Sequence, residues 1–242
     1  MIDPVRQRFA NWQMEELLAK YVDLRLSPAP KGESRITGRL GFSAETPGHR
    51  RVVDEYDIQI FLASNYPKAI PLVREVGGRI PKTFHKLEAD YLCLGSPTRL
   101  RLILVKSPSI LNFVEQCVIP YLYSYSIFEH GGSLPFGELS HGPLGLREDF
   151  ASLLGIDNDN DDAVLGFVKL LSMGKRQANK LPCACGSHLR LGRCHHRRLN
   201  ALRNSLGRRW FASLLSSPDA RFGRNFPSRR QTTSLTLARF AN

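Results

Sequence analysis

The sequence predicts an α+β fold: an N-terminal helix, a four-stranded antiparallel meander, further helices, and a small metal-binding appendage near the C-terminal end. Three observations carry that expectation. Asp3-Pro4 ahead of Val5, Phe9, Trp12 and Leu17 is a helix start followed by apolar residues at roughly helical spacing. Tyr56, Ile58, Ile60 and Leu62 alternate with polar or small residues, as in a strand with one buried face. Cys183-Ala184-Cys185-Gly186-Ser187, followed by Cys194-His195-His196, gathers soft metal ligands into one short segment.

The elements follow in order. A first helix is expected over about 4–20, and a weak strand over 21–26. Pro28-Ala29-Pro30-Lys31-Gly32 is a loop. Strands are expected over about 35–43, 53–63 and 70–76. The turn-rich Thr46-Pro47-Gly48-His49 makes the first two of these antiparallel neighbours. Ser107-Pro108 starts a helix whose apolar stripe is Ile110, Leu111, Val114, Cys117, Val118, Tyr121 and Leu122. Pro120 should kink or break it near its last turn. Cys117, inside that stripe, reads as a small core residue. Residues 130–145 are a Gly/Pro-rich loop. Asp149 caps a short helix to Leu154, and the acidic turn 157–162 caps a helix over 163–172. Residues 198–215 suit one basic amphipathic helix, and 216–242 carry few apolar anchors.

An apolar fraction of 42% suits a globular protein. No run of about 18 apolar residues occurs, so no membrane span is expected. The start Met1-Ile2-Asp3-Pro4 has no signal-peptide pattern, so the expected compartment is the cytoplasm. Five cysteines, an odd number, fit metal or catalytic use in a reducing compartment better than a disulfide framework. The charge is divided. Residues 1–172 hold 19 Lys and Arg against 21 Asp and Glu, whereas residues 173–242 hold 15 against one, Asp219. A basic end of this kind favours polyanions, nucleic acid among them, or an acidic protein surface. No phosphate-binding glycine motif occurs, so an activated carboxylate would have to come from a separate activating enzyme or a preactivated partner.

Cys93 stands in an ordered frame: Tyr66-Pro67, then Pro71, then His85, then Cys93-Leu94 and a helix. With the helix and meander before it, this order resembles the ubiquitin-conjugating (UBC) enzymes over about residues 1–128. The resemblance implies a UBC-like fold. It makes Cys93 the thioester-forming residue and Tyr66, Pro67 and His85 frame positions around it, with His85 also a candidate catalytic residue beside Cys93. Two features depart from the family. Its His-Pro-Asn reads Phe84-His85-Lys86, so the asparagine that helps stabilise the oxyanion in many members is absent. Lys106-Ser107-Pro108 stands where the family's tryptophan would be. Bacterial relatives with such departures belong to antiviral operons of the CBASS type. There some join the C-terminus of a cGAS/DncV-like nucleotidyltransferase to a target. Glu138 and His141, in the Gly/Pro-rich loop, are further candidate proton acceptors for Cys93.

The second cluster has the spacing Cys-x-Cys-x8-Cys-His, with Gly186 and Gly192 easing the turns. Thiolate and imidazole ligands favour Zn2+ over Mg2+ or Ca2+. The segment resembles the SEC-C motif. By that match the ligands are Cys183, Cys185, Cys194 and His195, with His196 as a substitute for the last. Four protein ligands leave no open position, so the implied zinc is structural. Arg190, Arg193, Arg197 and Arg198 would then surround a rigid basic knob. The expected organisation is a conjugating domain over 1–150, a helical linker over 151–178, the zinc knuckle over 179–200 and a basic, partly disordered tail over 201–242. The competing reading is a catalytically silent adaptor that binds nucleic acid or a protein partner through the knuckle and tail.

Overall fold

The computed structural model describes residues 12–30, 32–136, 142–156 and 161–216. The chain divides into two compact units, Met1–Leu139 and Ser140–Asn242.

Unit 1 is built on a four-stranded antiparallel sheet in the order β1 (Leu24–Ser27), β2 (Ser34–Ala44), β3 (Val52–Leu62) and β4 (Leu72–Glu75). It is a meander, as the alternation and the turn residues predict. The register pairs Ile36 with Ile60 and Ile60 with Val73. Residues paired across strands share a face, so one face of the sheet is continuously apolar. Ile36, Leu40, Ile58, Ile60, Leu62 and Val73 are all buried on it.

The helices cover that face. The expected first helix appears as α1 (Met14–Lys20), and Gln13 before it is left-handed at φ 52°, so no single helix runs through 4–20. Val5 and Phe9 lie outside the described residues. A helix not expected from the sequence, α2 (Pro97–Lys106), is capped by the Ser96 side chain, which accepts from the Arg99 N–H. The next helix starts two residues later than expected. Ser109, not Ser107, is the cap of α3 (Ile110–Phe113), and its hydroxyl accepts from the Asn112 N–H at 3.1 Å.

Pro120 neither ends nor visibly breaks this helix. A π-helical turn, Val114–Val118, leads straight into α4 (Ile119–Glu129). Proline lacks an N–H and its ring crowds the carbonyl four residues back. A wider turn at that point removes the crowding and keeps the stripe in register. Phe113, Val114, Val118 and Leu122 are fully buried, each contributing about 2 kcal/mol of transfer free energy. Cys117 is buried among them, as its place in the stripe predicts.

A polar network, unpredicted by the apolar pattern, ties the sheet to α4. Arg79, after β4, donates to both carboxylate oxygens of Asp54 on β3 at 2.8 Å. It also donates to Glu129 at 2.6 Å. Ser126 donates to Asp54 at 2.7 Å, and Tyr125 donates to the Arg79 carbonyl at 2.8 Å. Burial pushes the Asp54 carboxyl up, but the hydrogen bonds from Arg79 and Ser126 outweigh it and hold the group at about 2.

Unit 2 contains α5 (Gly142–Leu154), α6 (Asp161–Ser172), α7 (Lys175–Ala178), α8 (His196–Leu206) and α9 (Arg208–Ser216). The loop expected through 145 gives way to helix at Gly142, because Pro143 and its neighbours can occupy a first turn that needs no N–H partners. The basic helix expected over 198–215 is two helices, divided at Gly207, whose φ of 79° requires glycine. These helices are no loose appendage. Leu199, Leu202, Leu206, Phe211 and Leu214 are buried. Arg198 donates to the Leu154 carbonyl at 2.7 Å, and Arg203 to the Leu170 carbonyl at 2.8 Å and the Leu171 carbonyl at 3.3 Å. Two tail arginines therefore satisfy the open carbonyls at the ends of α5 and α6. Residues 217–242 lie outside the described residues.

A depressed carboxylate pKa contributes stability above the ordinary aspartate value, and that contribution is lost as pH falls towards 2. Asp54→Asn should cost about 2 kcal/mol in urea unfolding at neutral pH. It should also flatten the acid limb of the stability profile between pH 4 and 2, which wild type should show in full.

Candidate functional site

The segment 84–93 folds back on itself and is held from three directions. Lys86 and Leu92 form an antiparallel bridge, and the Leu87 N–H donates to the Tyr91 carbonyl at 2.7 Å. The Leu92 N–H donates to the Val73 carbonyl at 2.7 Å, and Arg74 bridges Tyr91, so residues 91–92 extend the sheet beyond β4. From below, the Tyr121 hydroxyl donates to the carbonyls of Phe84 at 3.0 Å and His85 at 3.2 Å. Within this loop His85, Ala89 and Asp90 have φ of 39°, 55° and 60°. Left-handed backbone costs a non-glycine residue on the order of 1 kcal/mol. Three such residues together are a local strain of the kind that concentrates at functional loops.

Cys93 leaves this loop half-buried and outside any disulfide. Its N–H donates to the His85 carbonyl at 2.8 Å, which fixes its backbone. Burial pushes its thiol pKa up, opposed by a hydrogen bond from the Gly95 N–H. That N–H, just ahead of the Ser96 cap of α2, favours negative charge on the sulfur. His85 lies in the same loop. Its main-chain carbonyl meets the Cys93 N–H, and its ring stands edge-on to Phe84 at 4.9 Å. Tyr66, of the predicted frame, is buried and donates to the Pro108 carbonyl at 3.1 Å, with Trp12 edge-on at 4.9 Å. The bond between Tyr66 and Pro67 is cis. Glu138 and His141 lie outside the described residues.

In unit 2, Cys183, Cys185, Cys194 and His195 converge. Their ligand atoms all lie within 4.8 Å of one another, and together they could hold a metal ion. A hairpin brings them there. Pro182 bridges Arg190, the Cys183 N–H donates to the Leu189 carbonyl at 2.7 Å, and the Leu191 N–H to the Leu181 carbonyl at 2.8 Å. Gly186, at φ 79°, makes the turn after the second cysteine. Cys194 and His195 arrive from the 3₁₀ turn Leu191–Arg193, just before α8.

The separations decide between chemistries. Cys185 Sγ is 3.5 Å from Cys183 Sγ and 3.6 Å from Cys194 Sγ. His195 Nδ1 is 3.3 Å from Cys183 Sγ and 3.1 Å from Cys194 Sγ. A disulfide needs about 2.05 Å, so these are not bonded pairs. Zinc bonds of about 2.3 Å to sulfur and 2.0–2.1 Å to nitrogen give tetrahedral edges of about 3.8 and 3.6 Å, and the four separations are about 0.2–0.5 Å shorter, so the ligand atoms are gathered as around one ion. Burial pushes the Cys183 thiol up to about 11. Burial also works to raise Cys185, but hydrogen bonds from the Ser187 hydroxyl and N–H outweigh it, and the group sits at about 7. The surroundings are tight. The His195 ring meets Phe167 of α6 at 5.2 Å, and a Cβ on Gly166 would stand 2.8 Å from the Ala184 Cβ. His196, the expected substitute, is not in the cluster. Its Nδ1 is buried without a hydrogen-bond partner among the described residues.

Two parts of this picture escaped the sequence reading. The cap pair Ser96-Pro97, which starts the helix behind Cys93, has the same signature as Ser107-Pro108 and was legible in principle. The Tyr121 anchor was not, because its partners are main-chain carbonyls 36 and 37 residues away. No family model, curated protein or solved structure matches the chain. Among the described residues, no helix is long and apolar enough to cross a membrane.

Because burial raises its pKa, Cys93 should react slowly with iodoacetamide at neutral pH and accelerate as pH climbs beyond the ordinary thiol value. Cys117, pushed up to about 12, should stay unmodified until the protein unfolds. Peptide mapping of the alkylated protein across a pH series checks both.

Proposed function

We propose that the protein is a ubiquitin-conjugating-like transferase. Cys93 accepts the activated C-terminal carboxyl of a partner protein as a thioester and passes it on. The observation that carries the reading is the placement of Cys93: half-exposed, at the end of a strained loop pinned to β4 and α4, with the Gly95 N–H on its sulfur. The residue order Tyr66-Pro67, His85, Cys93-Leu94 after a helix and an antiparallel meander supports a UBC-like fold.

The proposed step is an acyl exchange. The Cys93 thiol gives up its proton, its sulfur bonds the carbonyl carbon, and the donor's leaving group departs with that proton. The Gly95 N–H, which hydrogen-bonds the sulfur, would be the nearby donor in place of the family's missing asparagine. Positions 84–86 read Phe-His-Lys, so the proton acceptor on a lysine substrate is not supplied by that stretch. A separate activating enzyme would provide the donor. The resemblance to CBASS-associated relatives names a cGAS/DncV-like nucleotidyltransferase as the partner carrying the C-terminus, and antiphage defence as the setting. The four-ligand cluster of unit 2 would hold structural Zn2+. That reading is supported by its near-tetrahedral separations and by a donor set that leaves no position open for substrate. The exposed Arg190, Arg193 and Arg197 around it suit docking on an acidic surface.

Immunoprecipitated from its host, wild-type protein should carry an adduct that thiol reductants remove. Cys93→Ser should trap a more stable oxyester, and Cys93→Ala should lose the adduct. Unchanged conjugation in Cys93→Ala would end the transferase reading and leave the adaptor. Purified protein should contain one zinc per chain, and Cys185→Ser or a chelator should remove it. Loss of the metal should unfold unit 2, at a cost on the order of 10 kcal/mol by zinc-finger precedent.

A further inference from the structure

The face of the unit 1 sheet turned away from the helices carries its own chemistry. One rung across all four strands reads Arg25, Thr37, Gln59, Arg74, since Arg25 pairs with Thr37, Thr37 with Gln59, and Gln59 with Arg74. The next rung reads Ser27, Arg35, Phe61, Leu72. Tyr91, bridged to Arg74, extends this face past β4. The arginines are stacked on the rings. The Arg35 guanidinium lies 5.1 Å from the Phe61 centroid, and that of Arg74 lies 5.5 Å from Phe61 and 4.2 Å from Tyr91. Phe61 and Tyr91 meet edge-on at 5.8 Å.

Among the described residues, the arginines of these two rungs carry uncompensated charge. Among the described residues, Arg25, Arg35 and Arg74 form no ion pair. The contrast lies one rung away, where Arg39 is paired with Glu55 at 3.0 Å and Asp57 at 3.5 Å. Cations held on aromatic rings without carboxylates are oriented in advance, so an anion arriving there meets little ordering cost.

We propose that this face binds single-stranded nucleic acid. Arg25, Arg35 and Arg74 would contact phosphates, and bases would stack on the Phe61–Tyr91–guanidinium cluster. Strands lie about 4.8 Å apart, so Arg25 and Arg74 stand about 14 Å apart, a span of a few nucleotides. Thr37 and Gln59, half-buried between them, offer hydroxyl and amide groups to base edges. An acidic peptide would answer the charge but would leave the stacked planes unused, whereas every base presents a π-face. The proposal rests neither on the reactivity of Cys93 nor on the basic residues of 173–242.

Ultraviolet cross-linking of the full chain to a labelled oligouridylate, followed by peptide mapping, tests it. Adducts are expected on peptides containing Phe61 or Tyr91. The double variant Arg35→Gln, Arg74→Gln should reduce those adducts at least about fivefold, the lower end of one lost base stack. It should leave adducts in residues 173–242 unchanged and thermal unfolding close to wild type. If the double variant unfolds, Arg25→Gln with Arg35→Gln reads the same loss. Adducts confined to 173–242, or adducts at Phe61 and Tyr91 that survive the substitutions, overturn the proposal. So does protection of these peptides from hydrogen exchange by polyglutamate but not by oligouridylate, which would make the occupant an acidic protein.

Discussion

The candidate site of unit 1 depends on how residues 84–93 are held. A loop carrying three left-handed non-glycine residues cannot persist on its own preferences. It persists because its main-chain groups are taken up by rigid neighbours: Val73 on β4 accepts from Leu92, and Tyr121 on α4 donates to Phe84 and His85. Both neighbours are themselves seated in the core. Strain in the loop is thus offset by packing in the sheet and helix, and Cys93 is delivered to one place with its backbone fixed. Packing also decides its chemistry: partial burial keeps the thiol protonated at rest, and the Gly95 N–H opposes that burial.

The two units solve the stability problem differently. Unit 1 buries one whole sheet face under helices and then fastens its far end with the Asp54–Arg79–Glu129 network. Unit 2 draws three thiols and an imidazole to one point, with α6 packed so closely that Gly166 admits no side chain. It also turns charge inward, since Arg198 and Arg203 close helix ends. The basic character of residues 173–242 is therefore only partly available for partners.

Much of the site was legible because its signals are local. The alternation of Tyr56, Ile58, Ile60 and Leu62 specifies a buried strand face whatever surrounds it, and all four are buried. The spacing of Cys183, Cys185, Cys194 and His195 brings ligands together through one short hairpin, and they do meet. The misses have a common cause. A single left-handed Gln13 marks the start of α1 where apolar spacing would place the middle of a helix, a π turn lets Pro120 stand inside one, and Gly207 divides another.

The amino-acid order alone determined the strand pattern, the apolar stripe around Cys117 and the grouping of the candidate metal-binding residues, because each depends on residues within a few positions of one another. Only the tertiary structure decided the half-burial of Cys93, the clamp on its loop, and the stacking of Arg35 and Arg74 on Phe61. Those arise from groups brought together across strands and helices, where solvent exclusion and partner geometry set the energies, and no local pattern encodes them.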